Sequence, residues 1–210
     1  VKLETRRRMS KKQGFTHEEI IGREELRTLV PSLASHCVAG LISRRDGAAD
    51  PHKTLAAFRA SAEAAGVRIF EGYGVTQVTR QGAVWQVKAG QSVFEADTLV
   101  NAAGAWADRI AAMVGDRFDL GYKASMMMVT ERVAPLLKPV VSVVGRPLSF
   151  KQTDQGTLVI GGGIQGRADI PAQKSFVDFT GLAIAARAVT ELFQQTKPLR
   201  IVRAWTGMEA

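Results

Sequence analysis

The sequence predicts an α/β fold, α+β overall, and three observations lead there. Residues 44–70 read as strand, helix, strand, with a Pro near the helix start and a Gly at its end. Residues 75–100 switch to a two-residue alternation and run into a stretch of small residues before another helix. From Gly121 onward the composition turns β-rich, relieved by one long helical segment. A mixed α/β part is expected over 1–120, a β-rich part with one long helix over 121–200, and a last strand running into 201–210.

The elements follow in order. Residues 1–30 are expected to be helical, with Thr16 and Glu19 spaced as a capping box and Pro31 ending the stretch. Val38 to Arg44 is a short apolar run suited to a strand. Asp50 is placed as an N-cap with Pro51 at the first helical position, because a carboxylate can bond the free amides and Pro has none to lose. Leu55, Phe58, Ala62 and Ala65 then recur at helical spacing until Gly66, and Val67 to Phe70 forms the next strand candidate. Val75, Gln77 and Thr79, then Val84, Gln86 and Lys88, alternate around turns at Gly82 and Gly90, as in a β-meander. Val93 to Phe94 and Thr98 to Val100 are two more strands, with Leu99 and Val100 expected in the core. A helix over Ala107 to Val114 stops at Gly115. Strands are then expected at Met126–Thr130, Val140–Val144, Leu148–Gln152 and Thr157–Ile160, a helix over Ser175–Gln195, and a last strand over Arg200–Trp205.

The bulk properties exclude several classes. With 46% hydrophobic and 23% charged residues in 210, the chain is an ordinary globular sequence rather than a disordered one. No run approaches the ~18 apolar residues of a membrane span. The opening Val-Lys-Leu-Glu lacks an initiator Met, so the chain is expected to begin inside a longer reading frame. Cys37 is the single cysteine, which allows no internal disulfide, fits a reducing cytoplasm and suits a small buried hydrophobe. The formal charge of +8 raises a nucleic-acid reading. Its densest cluster, Arg6, Arg7, Arg8, Lys11 and Lys12, has no interleaved aromatics, and aromatics are only 7% of the chain, so a solvated helix face is the better account. His17, His36 and His52 show no metal-ligand spacing, and no metal is expected.

The segment with most chemistry in it is Thr98-Leu99-Val100-Asn101-Ala102-Ala103-Gly104-Ala105-Trp106-Ala107. Small side chains between a strand and a helix let a ligand approach the backbone, and a helix start favours an anion. The same pattern serves a tightly packed turn. "VNAAGAWAD" resembles the strand-end segment of FAD-dependent oxidoreductases of the D-amino-acid oxidase superfamily, which includes glycine and sarcosine oxidases. Other pieces match in order: "DGAADPHKTLAAFRASAEAAGVRIFEGYGVTQVTR", "MMMVTE", "FKQTDQGTLVIGGG" and "RIVRAWTGMEA". The last looks closest to opine and hydroxyproline dehydrogenase-like flavin subunits.

The resemblance covers roughly residues 15–210 and implies a partial flavin domain followed by a substrate domain. It implies FAD as cofactor and oxidation of a secondary amine or amino acid. Val75 would meet the adenine end of FAD through its backbone, Ala102, Ala103 and Gly104 would line the cofactor, and Trp106 would pack beside it. A carboxylate substrate needs a cationic anchor, for which Lys151 and Arg203 are candidates, and Met127 within Met126–Met128 could wall an adaptable pocket. No catalytic residue is singled out. The implied partners are a small amine or amino acid and, in the flavin-subunit reading, other dehydrogenase subunits of a hetero-oligomer. The family's N-terminal Gly-x-Gly-x-x-Gly does not occur at the start of this sequence, and its last glycine-rich segment would follow "RAWTGMEA". Hence a second reading, a non-catalytic binding subunit or remnant of the same fold without cofactor, stands beside the first.

Gly161 to Gly166 does match Gly-x-Gly-x-x-Gly after the apolar run Leu158–Ile160. A dinucleotide site, and with it a third reading as an NAD-dependent dehydrogenase, would need a helix to open at once. Pro171 argues against that helix, so a glycine-rich loop at a strand end is expected instead.

Overall fold

The computed structural model describes residues 2–210; Val1, the first residue of the expected N-terminal helix, lies outside them. The chain divides into two compact units, residues 1–48 with 123–208, and residues 49–122 with 209–210. The segment ahead of residue 49 thus clusters with the later sheet and not with residues 49–122.

In the first unit, helix α1 (Lys2–Lys12) leads to strand β1 (Glu18–Gly22), helix α2 (Arg23–Leu29) and strand β2 (Ala39–Ser43). Strand β1 corrects the expected helix. Ile20 and Ile21 are β-branched, and the strand pairs antiparallel with β2, Ile20 opposite Leu41. No capping box forms, because Glu19 instead accepts from Arg44 Nε at 3.0 Å. Glu18 accepts from Ser10 Oγ at 2.7 Å and Arg6 Nη2 at 2.9 Å, and these bonds, Ser10 foremost, hold its carboxyl below the usual range. Arg7, Arg8, Lys11 and Lys12, with Glu4 and Ile20, line a cleft of about 390 Å³ along α1.

The rest of this unit is a mixed-order sheet with one helix. Strands β6 (Lys123–Arg132), β7 (Val141–Ser142), β8 (Ser149–Gln152), β9 (Thr157–Gly161) and β12 (Ile201–Glu209) form a five-stranded sheet ordered β12-β6-β9-β8-β7. The hairpin β10 (Arg167–Asp169) and β11 (Lys174–Phe176) precedes helix α5 (Phe179–Leu192). The helix starts later than its apolar content suggested, since Asp178 caps it by accepting from Gly181 N at 2.7 Å. Gly181, Ala185, Ala188, Val189 and Leu192 are its buried stripe, at helical spacing. Ala185, Ala188, Val189 and Leu192 pack with Met128, Leu148, Phe150, Leu158, Ile160 and Phe193 into one core, in which the Phe150 and Phe193 rings meet edge-on at 4.9 Å. Cys37 packs at the margin of that core, and desolvation raises its thiol pKa.

The second unit holds helix α3 (Pro51–Ala64), the meander β3 (Val75–Gln81), β4 (Val84–Ala89) and β5 (Ser92–Ala96), and the short helix α4 (Ala107–Ala112). Asp50 caps α3 as expected, accepting from His52 N at 2.9 Å and Lys53 N at 3.1 Å. Gly66, at φ +86°, closes the helix: its own amide bonds Glu63 O, and Val67 N bonds Ala62 O at 3.0 Å. Two expected strands do not form. Val67–Phe70 and Thr98–Val100 lie outside any ladder among the described residues, and Val100 is 80% exposed rather than core. A strand needs a hydrogen-bonded neighbour, which apolar content alone cannot supply. Leu55 and Phe58 on α3 are likewise open to solvent.

The glycine run at 161–166 is a strand-to-hairpin connection, which removes the dinucleotide reading: strand β10 follows it, and no helix opens. Its glycines answer to packing. A Cβ on Gly162, at φ +110°, would sit 2.2 Å from Ser149 N, and one on Gly166 would sit 2.3 Å from Phe176 O. Substituting Gly162 by Ala therefore combines an unfavourable backbone conformation with a collision against backbone, and is expected to cost about 1–3 kcal/mol or more in a chemical unfolding titration. Phe193→Ala empties the centre of the core and is expected to cost about 3–5 kcal/mol in the same measurement.

Candidate flavin and substrate site

In the second unit, the stretch after Val100 turns sharply before α4. Residues Gly104–Trp106 form one 3₁₀ turn, and Gly104 adopts φ +55°, a left-handed conformation that glycine reaches without a Cβ penalty. A Cβ placed there would meet nothing within 4 Å, so the space beside this backbone is open. Ala105 is buried and anchors the turn, while Ala102 and Gly104 are exposed. Trp106 Nε1 is buried without a hydrogen-bond partner among the described residues. A donor in that condition normally costs stability.

Asn101 and Asp108 are two further residues that hold this turn and its helix. Asn101 Oδ1 accepts from Ala103 N at 3.3 Å, and its Nδ2 donates to Ala107 O at 2.8 Å, so one side chain ties both ends of the turn. Asp108 accepts from Arg109 N at 2.8 Å and from the Tyr122 hydroxyl, and the latter bond raises the Tyr122 pKa. An Asn just before a turn is a recognisable local signal, since its side chain bonds backbone groups. The Asp108–Tyr122 pair spans 14 residues and leaves no such trace in the sequence.

Val75 opens β3 opposite Ala89, at a register irregularity between Val75 and Gln77. Its side chain is 38% exposed, and only Val78 on this strand is fully buried. Phe70, Tyr73 and Phe94 cluster nearby in the same unit, with Phe70 and Phe94 ring centres 4.8 Å apart.

In the first unit, strand alternation sorts the three substrate candidates onto one face. On β6, Met126, Met128 and Thr130 are buried, while Ser125, Met127 and Val129 are half-exposed. The register places Phe150 opposite Ile160 and Met128 opposite Ile160, all core-facing. Lys151 and Val129 both pair with Val159, one residue along, and so point to the opposite side. On β12, Ala204 packs against the core, which turns Arg203 and Trp205 away from it; the Arg203 guanidinium lies over the Trp205 ring at 5.3 Å. Met127 Sδ also lies over Gly161: a Cβ there would approach it to 2.2 Å. Lys151 and Arg203 are thus on one face but three strand spacings apart, roughly 14 Å.

Among the described residues no cluster of His, Cys, Asp and Glu could hold a metal ion, and no helix is long and apolar enough to cross a membrane.

Comparison with known proteins accords with this architecture. Residues 2–210 match the family described as "DAO: FAD dependent oxidoreductase". The chain is 30% identical over 194 residues to hydrogen cyanide synthase subunit HcnC of Pseudomonas aeruginosa, covering 90% of this chain and 44% of that protein. It is 25% identical over 210 residues to sarcosine oxidase subunit beta of Rhizobium meliloti, covering 97% and 50%. The chain therefore spans about half the length of these curated relatives. Among solved structures, L-proline dehydrogenase from P. horikoshii superposes with a TM-score of 0.84 at 24% identity, over 97% of this chain and 56% of that one; at that identity the likeness shows the fold. On the match across residues 2–210, the chain belongs to the DAO family of FAD-dependent oxidoreductases.

Proposed function

We propose that this chain forms part of an FAD-dependent enzyme that oxidises a secondary amine or an amino acid, with hydride leaving the carbon bonded to nitrogen. The observation that carries the reading is the turn at Ala102–Trp106 in a chain of this family: small side chains, open space beside Gly104 and a buried, unpartnered Trp106 Nε1. These features fit a flat, polar-edged cofactor laid against backbone. When bound, FAD supplies the hydride acceptor.

The chain's own residues hold and orient. Ala102, Ala103 and Gly104 line the cofactor, Trp106 packs beside it, and the Val75 backbone meets its adenine end. The open face of the five-stranded sheet forms the substrate wall, with Met127 as its adaptable element. One of the two cations, Lys151 or Arg203, anchors a carboxylate substrate. In this reading the flavin domain is 1–120, the substrate domain 121–200 and the return segment 201–210, with the flavin contacts drawn from the second compact unit. The relatives HcnC and sarcosine oxidase beta are named as subunits, which supports a place in a hetero-oligomer.

The full-length protein is expected to show flavin absorption near ~370 and ~450 nm that bleaches anaerobically with a secondary amine or amino acid. A colourless protein would instead support the binding-subunit alternative. Replacing Lys151 and Arg203 by Met in turn is expected to raise KM for a carboxylate substrate about tenfold or more in one variant and leave the other within about twofold. Equal effects would overturn the single anchor.

A further inference from the structure

Asn101 does two things that no other residue of the junction does. Its carbonyl oxygen accepts from Ala103 N, and its amide nitrogen donates to Ala107 O at 2.8 Å, six residues along the chain. Between those two bonds lie Ala102, Ala103, Gly104, Ala105 and Trp106, a stretch otherwise composed of small residues and one tryptophan. The turn's internal support is slight: Trp106 N bonds Ala103 O at 3.0 Å, and Ala107 N bonds Gly104 O. Alanines and a left-handed glycine have little side chain with which to fix their own backbone. The helix that follows is only six residues long, too short to impose its geometry backward.

The amide orientation is not interchangeable. Turned over, the oxygen would face the Ala107 carbonyl and the nitrogen would face the Ala103 N–H, and both bonds would fail. The bridge thus requires a donor and an acceptor on one planar group. Asp offers only acceptors; Ser can serve the near bond but is too short for the far one.

The geometry points to Asn101 as a positioning residue that pre-forms the Ala102–Trp106 turn for the cofactor, an inference that rests on the flavin reading of that turn. Asn101 acts through the turn: it spares the binding event the cost of ordering that backbone. Its loss is accordingly felt in cofactor affinity and not in the substrate step.

The test uses full-length protein stripped of flavin and titrated with FAD, reading the quenching of flavin fluorescence, for wild type, Asn101→Asp, Asn101→Ser and Gly104→Val. Both Asn101 variants are expected to weaken FAD binding about tenfold or more. In the FAD-saturated enzyme KM for the substrate should stay within about twofold of wild type, and the thermal midpoint of the apoprotein should hardly move. If Asn101→Asp binds FAD like wild type, the donor bond to Ala107 has no role and the inference fails. If both variants bind like wild type while Gly104→Val binds weakly, the turn holds the cofactor without Asn101's help, and the inference fails while the flavin reading stands. If Gly104→Val also binds like wild type, the flavin reading of the turn falls, and the inference with it. A drop in apoprotein stability that accounts for the whole loss of affinity would make Asn101 a purely structural residue and likewise overturn the proposal.

Discussion

The period-two alternation of the five-stranded sheet, with one face claimed by a helix, is the constraint from which most of the first unit follows. Met128, Phe150, Leu158 and Ile160 must lie on one side because α5 and Phe193 pack there. The intervening residues then have no choice of face. Met127, Val129, Lys151 and Val159 emerge opposite the core, and Ala204 in the core turns Arg203 and Trp205 outward. A slip of one residue in register would exchange the two sets completely. The open face, the proposed substrate wall, is therefore a by-product of how the core is packed.

Glycines mark where this packing is tightest. On α5, a Cβ at Gly181 would come within 2.6 Å of Met126 Cε, so the helix starts in close approach to the sheet. Gly161, Gly162 and Gly166 likewise pass close to neighbouring side chain or backbone. Gly104 belongs with Gly66, Gly82 and Gly115: its φ is left-handed and nothing stands where a Cβ would be. Both kinds of glycine look alike in a sequence. One kind is crowded by the protein itself, and the other is open and held by its backbone conformation alone.

Much of the fold was legible because its signals were local. The Asp50-Pro51 start, the Gly66 stop, the meander turns at Gly82 and Gly90, and the four β runs after Gly121 all rest on backbone chemistry within a few residues. The failures were non-local. Ile20 and Ile21 became a strand because Ala39–Ser43 pairs with them, and Thr98–Val100 stayed outside the sheets for want of a neighbour. The site divides in the same way. The Ala102–Trp106 turn could be read from its small residues and from family resemblance. That Lys151, Met127 and Arg203 share a face required the strand register, and the Asn101 bridge required the turn itself.

Two glycine-bearing segments compete for the cofactor in the sequence, and the central claim is that Ala102–Trp106 holds it while Gly161–Gly166 does not. The most direct measurement is amide hydrogen exchange of the full-length apoprotein with and without FAD. Slowed exchange across residues 102–107 and around Val75, with residues 161–166 unchanged, is the predicted result. Protection centred on 161–166, with the Ala102–Trp106 turn unaffected, would contradict the account.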